Sequence, residues 1–304
     1  MDIMLASLTE SSYKQYNSCL KKWWKFCENM KISPFESSIE NILLFLTNIF
    51  ESGAAHSSIN CYRSAVSLLV GPEIAQDDRM KRFFKGLSKL RPSKPKYDST
   101  WDPKIVLDYL SSLSKNEELS LKILTMKLIT LFALITGHRM QTFALIKIEN
   151  VLVTNKHIEI KIPDRIKTSG ANRKQSCLVL PFYKKNRKIC AASTLQHYLE
   201  KTKDLRSNIN SLFISHKKPH KKVTSQTLSR WIKEILENSG IDTNVFTAHS
   251  TRHASTSAAK RRGIDIDTVR RTAGWTKKSN TFIKFYNLNL TVPSDAFGKA
   301  IVSS

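Results

Sequence analysis

The spacing of apolar residues changes once along the chain, and this change constrains the fold more than any other feature. Through most of the sequence apolar residues recur with the 3.6-residue period of an α-helix, whereas between residues 151 and 180 the period is two. The stretch Leu121–Ile135 is apolar nearly all round, which predicts a central helix buried on every side. Three short runs with period two predict strands at Val151–Val153, His157–Ile162 and Cys177–Leu180. The chain is therefore predicted to be mainly α-helical, with one small antiparallel sheet in its second half.

The first 90 residues predict a bundle of four amphipathic helices. Ser7 and Glu10 have the spacing of a capping box, so the first helix is predicted to begin there. Trp23 and Trp24 lie on the apolar stripe of this helix, which assigns both side chains to the core. The fourth helix begins at Asp77, and its face opposite the apolar stripe carries five cations: Arg79, Lys81, Arg82, Lys85 and Lys89.

A basic, proline-rich segment at residues 91–101 predicts a semi-rigid linker between a domain at 1–90 and a second domain at 102–304. The second domain is predicted to begin with a helix, because Asp102 is a good N-cap residue and proline follows it. A cationic hairpin loop at 164–174 separates the last two predicted strands. The remaining helices are predicted at Thr194–Lys201, Thr224–Asn238, His249–Arg262, Asp265–Ala273 and Asn280–Leu288.

The charge of the chain indicates its class of partner. Lys and Arg number 49 against 25 Asp and Glu, a net charge of +24, of which residues 1–90 carry +2 and residues 91–304 carry +22. A field of this sign attracts a polyanion, and nucleic acid is the leading candidate. A membrane surface or an acidic protein is the alternative, but the sequence has no basic helix with a broad apolar face and no apolar run of the ~20 residues that a membrane-spanning helix needs.

The five cysteines are scattered and form no C-x-x-C pair. A disulfide framework or a structural zinc site is therefore not expected, and the cysteines are interpreted as small buried hydrophobic residues.

Four separated segments carry the side chains that metal-free cleavage of a phosphodiester requires. Arg139 follows the predicted buried helix, His249-x-x-Arg252 opens a later helix, and Trp275 and Tyr286 come after it. Two guanidinium groups can hold the non-bridging oxygens of one phosphate, and a histidine can move a proton. A tyrosine becomes a usable nucleophile when nearby cations stabilise its phenolate. His249 and Arg252, three residues apart on a helix, share one face.

In this order and at these spacings, the segments resemble the signature of the tyrosine recombinases, the phage-integrase-like family, and look most like the versions found in eukaryotic mobile elements. The resemblance spans nearly the whole chain. It implies a helical, SAM-like core-binding domain at 1–90, the linker at 91–101, and an α+β catalytic domain with a small antiparallel sheet at 102–304. It also implies that the chain breaks and rejoins DNA in site-specific recombination or integration, through a 3′-phosphotyrosine intermediate that needs no metal, ATP or other cofactor.

The resemblance implies a role for each residue of the signature. Arg139 and Arg252 match the two arginines that clamp the scissile phosphate, and His249 matches the histidine that assists protonation. Trp275 stands where relatives use a His or Trp against the same phosphate, and Tyr286 matches the nucleophile.

The resemblance also implies a lysine general acid on the hairpin loop. Lys167 is the leading candidate, and Lys174 in the same loop is the alternative. Thr142 stands where many relatives carry an acidic residue that supports the site. His253, next to Arg252, is assigned a structural role because it is expected to point away from the face that carries His249.

The expected partners are double-stranded DNA and further copies of the chain, such as a tetramer on two DNA sites, with no membrane. The nucleus is the expected location, or the cytoplasm in a prokaryotic host; the basic loop 217–222 is either an import signal or a phosphate-binding loop. Two alternatives are open: a DNA-binding protein that no longer cuts, and a nicking–closing enzyme of the type IB topoisomerase kind. The residues predicted to contact DNA are Arg79, Arg82, Lys85, Lys89, Lys94, Lys96, Arg173, Lys174, Lys221, Lys222, Arg261 and Arg262.

Overall fold

The computed structural model describes residues 7–92, 95–166, 169, 175–275, 283, 286–291 and 301–302. The chain divides into two compact units, Met1–Lys96 and Tyr97–Ser304. None of the helices in the described part of the chain is long and apolar enough to cross a bilayer.

The first unit is a helical bundle. Its described helices are α1 (Glu10–Met30), α2 (Ile39–Glu51), α3 (His56–Val70) and α4 (Asp78–Leu90), with a short 3-10 turn at Pro72–Ala75. Side-chain oxygens of Thr9, Ser38 and Asp77 accept backbone N–H groups at the starts of α1, α2 and α4. The four predicted helices are confirmed.

Two details predicted for α1 are wrong. The helix begins at Glu10 with Thr9 as its cap, so Ser7 and Glu10 form no capping box. Trp23 is fully buried and donates from Nε1 to the carbonyl oxygen of Pro34 at 3.0 Å, whereas Trp24 is 53% exposed. Consecutive residues on a helix lie 100° apart, so only one of the two indoles can face the centre of the bundle.

The second unit combines helices with one sheet. Its helices are α5 (Pro103–Ser112), α6 (Leu121–Thr136), α7 (Met140–Ala144), α8 (Ala191–Thr202), α9 (Ser225–Asn238), α10 (Ser250–Arg261) and α11 (Ile266–Thr272). Short 3-10 turns lie at Ile148–Asn150, Arg187–Ile189 and Lys203–Leu205. As predicted, Asp102 caps α5 and Pro103 is its first residue.

The sheet is antiparallel, with the order β1 (Val151–Val153), β2 (His157–Ile162) and β3 (Ser176–Pro181). Ile158 pairs with Leu180 and Ile160 pairs with Leu178, which places these four apolar side chains on the buried face. The prediction of a mainly α-helical chain with one small antiparallel sheet is confirmed.

Helix α6 is the centre of the second unit and packs against α8, α9 and α10. Twelve of its sixteen residues are buried, as its apolar sequence predicts. Gly137 ends the helix in the left-handed conformation at φ 61°, and its N–H donates to the carbonyl oxygen of Ala133. Because α6 ends here, Arg139 stands directly before the first residue of α7.

Two further expectations need correction. The helix expected at Asn280–Leu288 does not include its last residues, because Tyr286 lies in a turn and 287–288 are irregular; residues 280–282, 284 and 285 lie outside the described part. The cysteines are not uniformly buried, since Cys61 is half-buried and Cys177 on the edge strand β3 is exposed.

Candidate active site

Arg252 lies at the centre of the site, in the first turn of α10, and only 1% of its surface is exposed. Its Nη1 atom donates to two backbone carbonyl oxygens, those of Gly137 and Ala273, the second at 2.7 Å. These carbonyls follow α6 and α11, where helix ends leave C=O groups without intrahelical partners. The ends of two helices therefore fix the guanidinium.

The remaining two nitrogens of Arg252 are not bound by backbone carbonyls. Nε and Nη2 are buried and make no hydrogen bond of ordinary geometry to a described residue. Burial, with the charge of Arg139 nearby, lowers the pKa of Arg252 to about 9, so the group still carries its proton at neutral pH. A buried guanidinium with two open donors and no carboxylate partner among the described residues suits an anion such as a phosphate.

Arg139 supplies a second positive charge to the same region. It occupies the N-cap position of α7 without a side-chain capping bond and is half-buried, and its charge is among the causes that lower the pKa of Arg252. Thr142 is buried on α7 and cannot neutralise either guanidinium. The pKa of the neighbouring His138 falls to about 4, chiefly because the ring is buried, so this imidazole is neutral at physiological pH.

Tyr286 reaches the site from the segment that follows α11 and is 9% exposed. Its phenol oxygen lies 2.9 Å from Nε2 of His249, the residue that precedes α10. The Arg252 guanidinium carbon lies 5.6 Å from the centre of the phenol ring. The structure thus brings a hydroxyl, an imidazole and a guanidinium of one chain together.

Trp275 forms a wall of the site. The guanidinium of Arg252 stacks 3.7 Å above the centre of the indole, and the indole meets the Tyr286 ring edge-on with the ring centres 4.8 Å apart. Contact with Trp275 therefore fixes the positions of the Arg252 and Tyr286 side chains relative to each other.

The backbone at Tyr286 and after it is anchored by hydrogen bonds. The Ser257 hydroxyl of α10 donates to the carbonyl oxygen of Tyr286 at 2.6 Å and accepts the N–H of Leu288 at 3.0 Å. Two residues after Leu288, the chain forms a parallel bridge between Thr100 and Leu290. Trp101 then donates from Nε1 to the Ser250 hydroxyl at the start of α10, at 2.8 Å.

The orientation predicted for His253 is wrong. Instead of pointing away from the site, the His253 ring stacks on the Tyr286 ring, with centres 4.0 Å apart and planes inclined by 15°. A residue one turn after His249 returns to the same helix face, so the four-residue spacing could have revealed this contact. Sequence reasoning also missed Ser257, the next residue in that row.

The remaining predicted site residues differ in what surrounds them. Lys167, Lys174, Lys94 and Arg173 lie outside the described residues, so their roles stay predictions. On α4, Arg79 pairs with Asp77 and Glu40. Arg261 donates to the carbonyl oxygen of Leu288 at 3.2 Å. Arg79 and Arg261 are exposed, and so are the other described cations of the predicted set: Arg82, Lys85, Lys89, Lys96, Lys221, Lys222 and Arg262.

No group of three or more His, Cys, Asp or Glu side chains that could hold a metal ion occurs in the described ranges. The arrangement around Arg252 is instead one of fixed cations and hydrogen-bond donors around a phenol, which is suited to binding and attacking a phosphodiester.

Known structures share this fold. A lambda integrase (75-356) dimer bound to a COC' core site superposes with a TM-score of 0.57 at 19% identity, over 93% of this chain and 91% of the other. XerH site-specific recombinase bound to difH substrate gives 0.60 at 15% identity, over 96% and 79%. A lambda integrase tetramer bound to a Holliday junction gives 0.54 at 16% identity, over 93% and 74%.

Comparison with curated protein sequences finds no match. The family model described as "Phage integrase family" matches residues 107–291, about three-fifths of the chain, and this range contains Arg139, His249, Arg252, Trp275 and Tyr286. The chain therefore belongs to the phage integrase family, the tyrosine recombinases.

Proposed function

We propose that this protein breaks and rejoins double-stranded DNA in site-specific recombination or integration, with Tyr286 as the nucleophile. The observation that carries the proposal is the placement of the Tyr286 hydroxyl 2.9 Å from His249, beside the buried cation Arg252, within one chain.

The phosphate is held first. Arg252 offers Nε and Nη2, its third nitrogen being fixed by backbone carbonyls, and Arg139 adds a second guanidinium. Two guanidinium charges offset the negative charge that grows on the non-bridging oxygens during attack, and burial strengthens this stabilisation. Trp275 can add an indole N–H, which only donates and so takes no part in proton transfer.

Attack then follows from the contact between His249 and Tyr286. An imidazole Nε2 at 2.9 Å can accept the phenol proton as the oxygen bonds to phosphorus. The P–O bond to the 5′ oxygen breaks, and Lys167 supplies the proton to that oxygen, with Lys174 as the alternative donor. The 3′-phosphotyrosine link retains the energy of the broken bond, so a 5′ hydroxyl can reverse the step without ATP.

DNA as substrate rests on two supports. The net charge of +24 favours a polyanion, and the relatives of similar fold include a lambda integrase dimer bound to a COC' core site and a tetramer bound to a Holliday junction. We propose that this chain likewise acts as several copies on two DNA sites. Its location in the nucleus remains a prediction from the substrate alone.

Two other functions remain as competitors: a silent DNA-binding protein and a nicking–closing enzyme. Retention of every polar residue of the described site favours cutting over silent binding. A separate helical unit of 96 residues before the unit that carries the site favours recombination over nicking–closing.

The test uses the purified chain and a pool of nicked duplexes with a randomised 30-base-pair core. Wild-type protein is expected to capture a subset of duplexes as denaturant-resistant adducts, and Tyr286→Phe is expected to capture none while retaining DNA binding. Binding without any adduct in wild type supports the silent protein. Relaxation of arbitrary supercoiled plasmid by a monomer supports the nicking–closing enzyme.

A further inference from the structure

The residue that precedes α10 and two residues within the helix meet Tyr286 along one line. His249, His253 and Ser257 follow at intervals of four residues, and neighbours at this spacing lie one above another on a helix face. His249 contacts the phenol oxygen, His253 covers the ring, and Ser257 binds the carbonyl oxygen of Tyr286. The helix therefore contacts the tyrosine from its reactive atom to its backbone.

The contact between His253 and the Tyr286 ring has no part in the proposed reaction. The rings of His253 and Tyr286 are nearly parallel at 15°, with centres 4.0 Å apart, and both are buried. His253 also meets the Tyr97 ring edge-on with centres 5.0 Å apart. Tyr97 is itself fixed, because its hydroxyl lies 2.8 Å from the Thr247 hydroxyl and accepts the Thr247 N–H at 3.3 Å. The His253 ring is thus a braced plane against which the phenol lies.

We infer that His253 is a positioning residue for Tyr286: by stacking it holds the phenol ring against α10, so that the hydroxyl stays on His249 and points at the bound phosphate. This inference rests on the proposed function. Ser257 holds the backbone of Tyr286 and His249 contacts its hydroxyl, but a swing of the side chain about its Cα–Cβ bond would carry the phenol oxygen away from His249. A nucleophile held in the attacking geometry reacts faster than one that must find it, and a displacement of 1 Å can cost about 100-fold.

Stacking engages the face of the His253 imidazole and not its nitrogens. The His249 and His253 rings meet edge to face, with centres 5.6 Å apart and planes at 77°. If His253 acts by stacking, a flat ring without nitrogens should replace it.

The experiment compares His253→Phe, which keeps a flat ring, with His253→Ala, which removes it. Histidine 157 lies on β2 outside the site, and His157→Ala serves as the matched control. The substrate is the nicked duplex most enriched by covalent capture on the wild-type protein. Four quantities are measured for each variant: the single-turnover rate of adduct formation at saturating protein, its pH profile, the Kd for uncut duplex and Tm.

We expect His253→Ala to slow adduct formation about 10- to 100-fold. Its Kd should remain within about twofold of wild type, and its pH profile should keep its shape. His253→Phe should restore the rate to within about threefold of wild type, and His157→Ala should match wild type. Equal loss in both His253 variants, a changed pH profile, or an unimpaired His253→Ala overturns the inference.

A spectroscopic measurement keeps this test independent of the proposed function and of partial unfolding. In protein carrying ¹³C-labelled tyrosine, the ring resonances of Tyr286, assigned with Tyr286→Phe, are expected to move in His253→Ala and to stay near their wild-type positions in His253→Phe. If wild type forms no adduct with any duplex, the proposed function fails, but the resonances still test whether the His253 ring stacks on Tyr286. Unmoved Tyr286 resonances in folded His253→Ala refute the stack.

Discussion

The Nε2 atom of His249 lies 2.9 Å from the phenol oxygen of Tyr286, although 36 residues separate the two in sequence. This contact joins the N-terminal end of α10 to the segment after α11. It needs no second chain, so we expect each copy of the protein to cut with its own tyrosine. Mixing Tyr286→Phe with Arg252→Lys subunits should then restore no cleavage, whereas restored cleavage would show that a neighbouring subunit donates the tyrosine.

Removal of the imidazole at position 249 should slow formation of the covalent adduct without weakening DNA binding. His249→Ala takes away the proton acceptor, a change that commonly costs 10²- to 10⁴-fold in rate. Single-turnover cleavage of the captured duplex measures this effect, and His157→Ala is the control. A His249→Ala protein that cleaves at the wild-type rate would exclude proton transfer by this residue.

Substitution of Arg252 by lysine should abolish cleavage although the charge is conserved. A guanidinium can bind two backbone carbonyls and a phosphate at once, whereas an ammonium is a single point of charge. We expect a loss of at least about 100-fold in adduct formation, with the cost in Kd limited to a few-fold. Gel-shift and adduct assays on the same duplex separate the two effects. Comparable loss in both would assign Arg252 to substrate binding rather than to the transition state.

Lys127 is fully buried on α6, and its amino group has no hydrogen-bond partner among the described residues. Burial lowers the pKa of Lys127 to about 8, from the ordinary value of 10.5. Between these values the unfolded chain binds more protons than the folded one, so the free energy of unfolding rises as pH increases from about 8 to 10.5. Below about pH 8 Lys127 is protonated in both states, and burial of its charge lowers the free energy of unfolding by about 3 kcal/mol, at 1.36 kcal/mol per pKa unit.

Lys127→Met should therefore stabilise the second unit at pH 7 and flatten this pH dependence. Urea unfolding at pH 7 and pH 10 measures both effects. Lys122→Met on the same helix is the matched control, because Lys122 is partly exposed and paired with Glu234, and a surface pair contributes about 0–1 kcal/mol. A destabilised Lys127→Met would indicate that the ammonium has a compensating partner.

DNA binding should depend steeply on salt through the exposed cations of α4. Each phosphate that a protein cation neutralises makes the plot of log K against log salt steeper by about 0.9, so each lost contact makes it shallower by the same amount. Arg82→Gln, Lys85→Gln and Lys89→Gln together should reduce the slope by up to about 3 for any duplex sequence. Lys14→Gln, which removes an exposed lysine paired with Glu10, is the control and should leave the slope unchanged. An unchanged slope in the triple variant would remove α4 from the DNA-binding surface.

The sequence predicted the elements because local patterns determine them. The apolar circumference of α6 requires burial, and the period-two runs at β1, β2 and β3 fit only strands. The family was likewise predicted from the order of five residues: Arg139, His249, Arg252, Trp275 and Tyr286. The reaction requires these residue types, so they can be recognised in the sequence without knowledge of the fold.

Only the tertiary structure decided which surface of each element faces the site. Trp23 and Trp24 look alike in sequence, but one indole fills the bundle and the other faces solvent. The sequence predicts that His253 points away from the face that carries His249, whereas the Tyr286 ring stacks on the His253 ring. The carbonyls that hold Arg252 come from Gly137 and Ala273, and no side-chain pattern marks a backbone acceptor. Periodicity specifies the face of a helix, whereas the partner on that face is set by packing between segments distant in sequence.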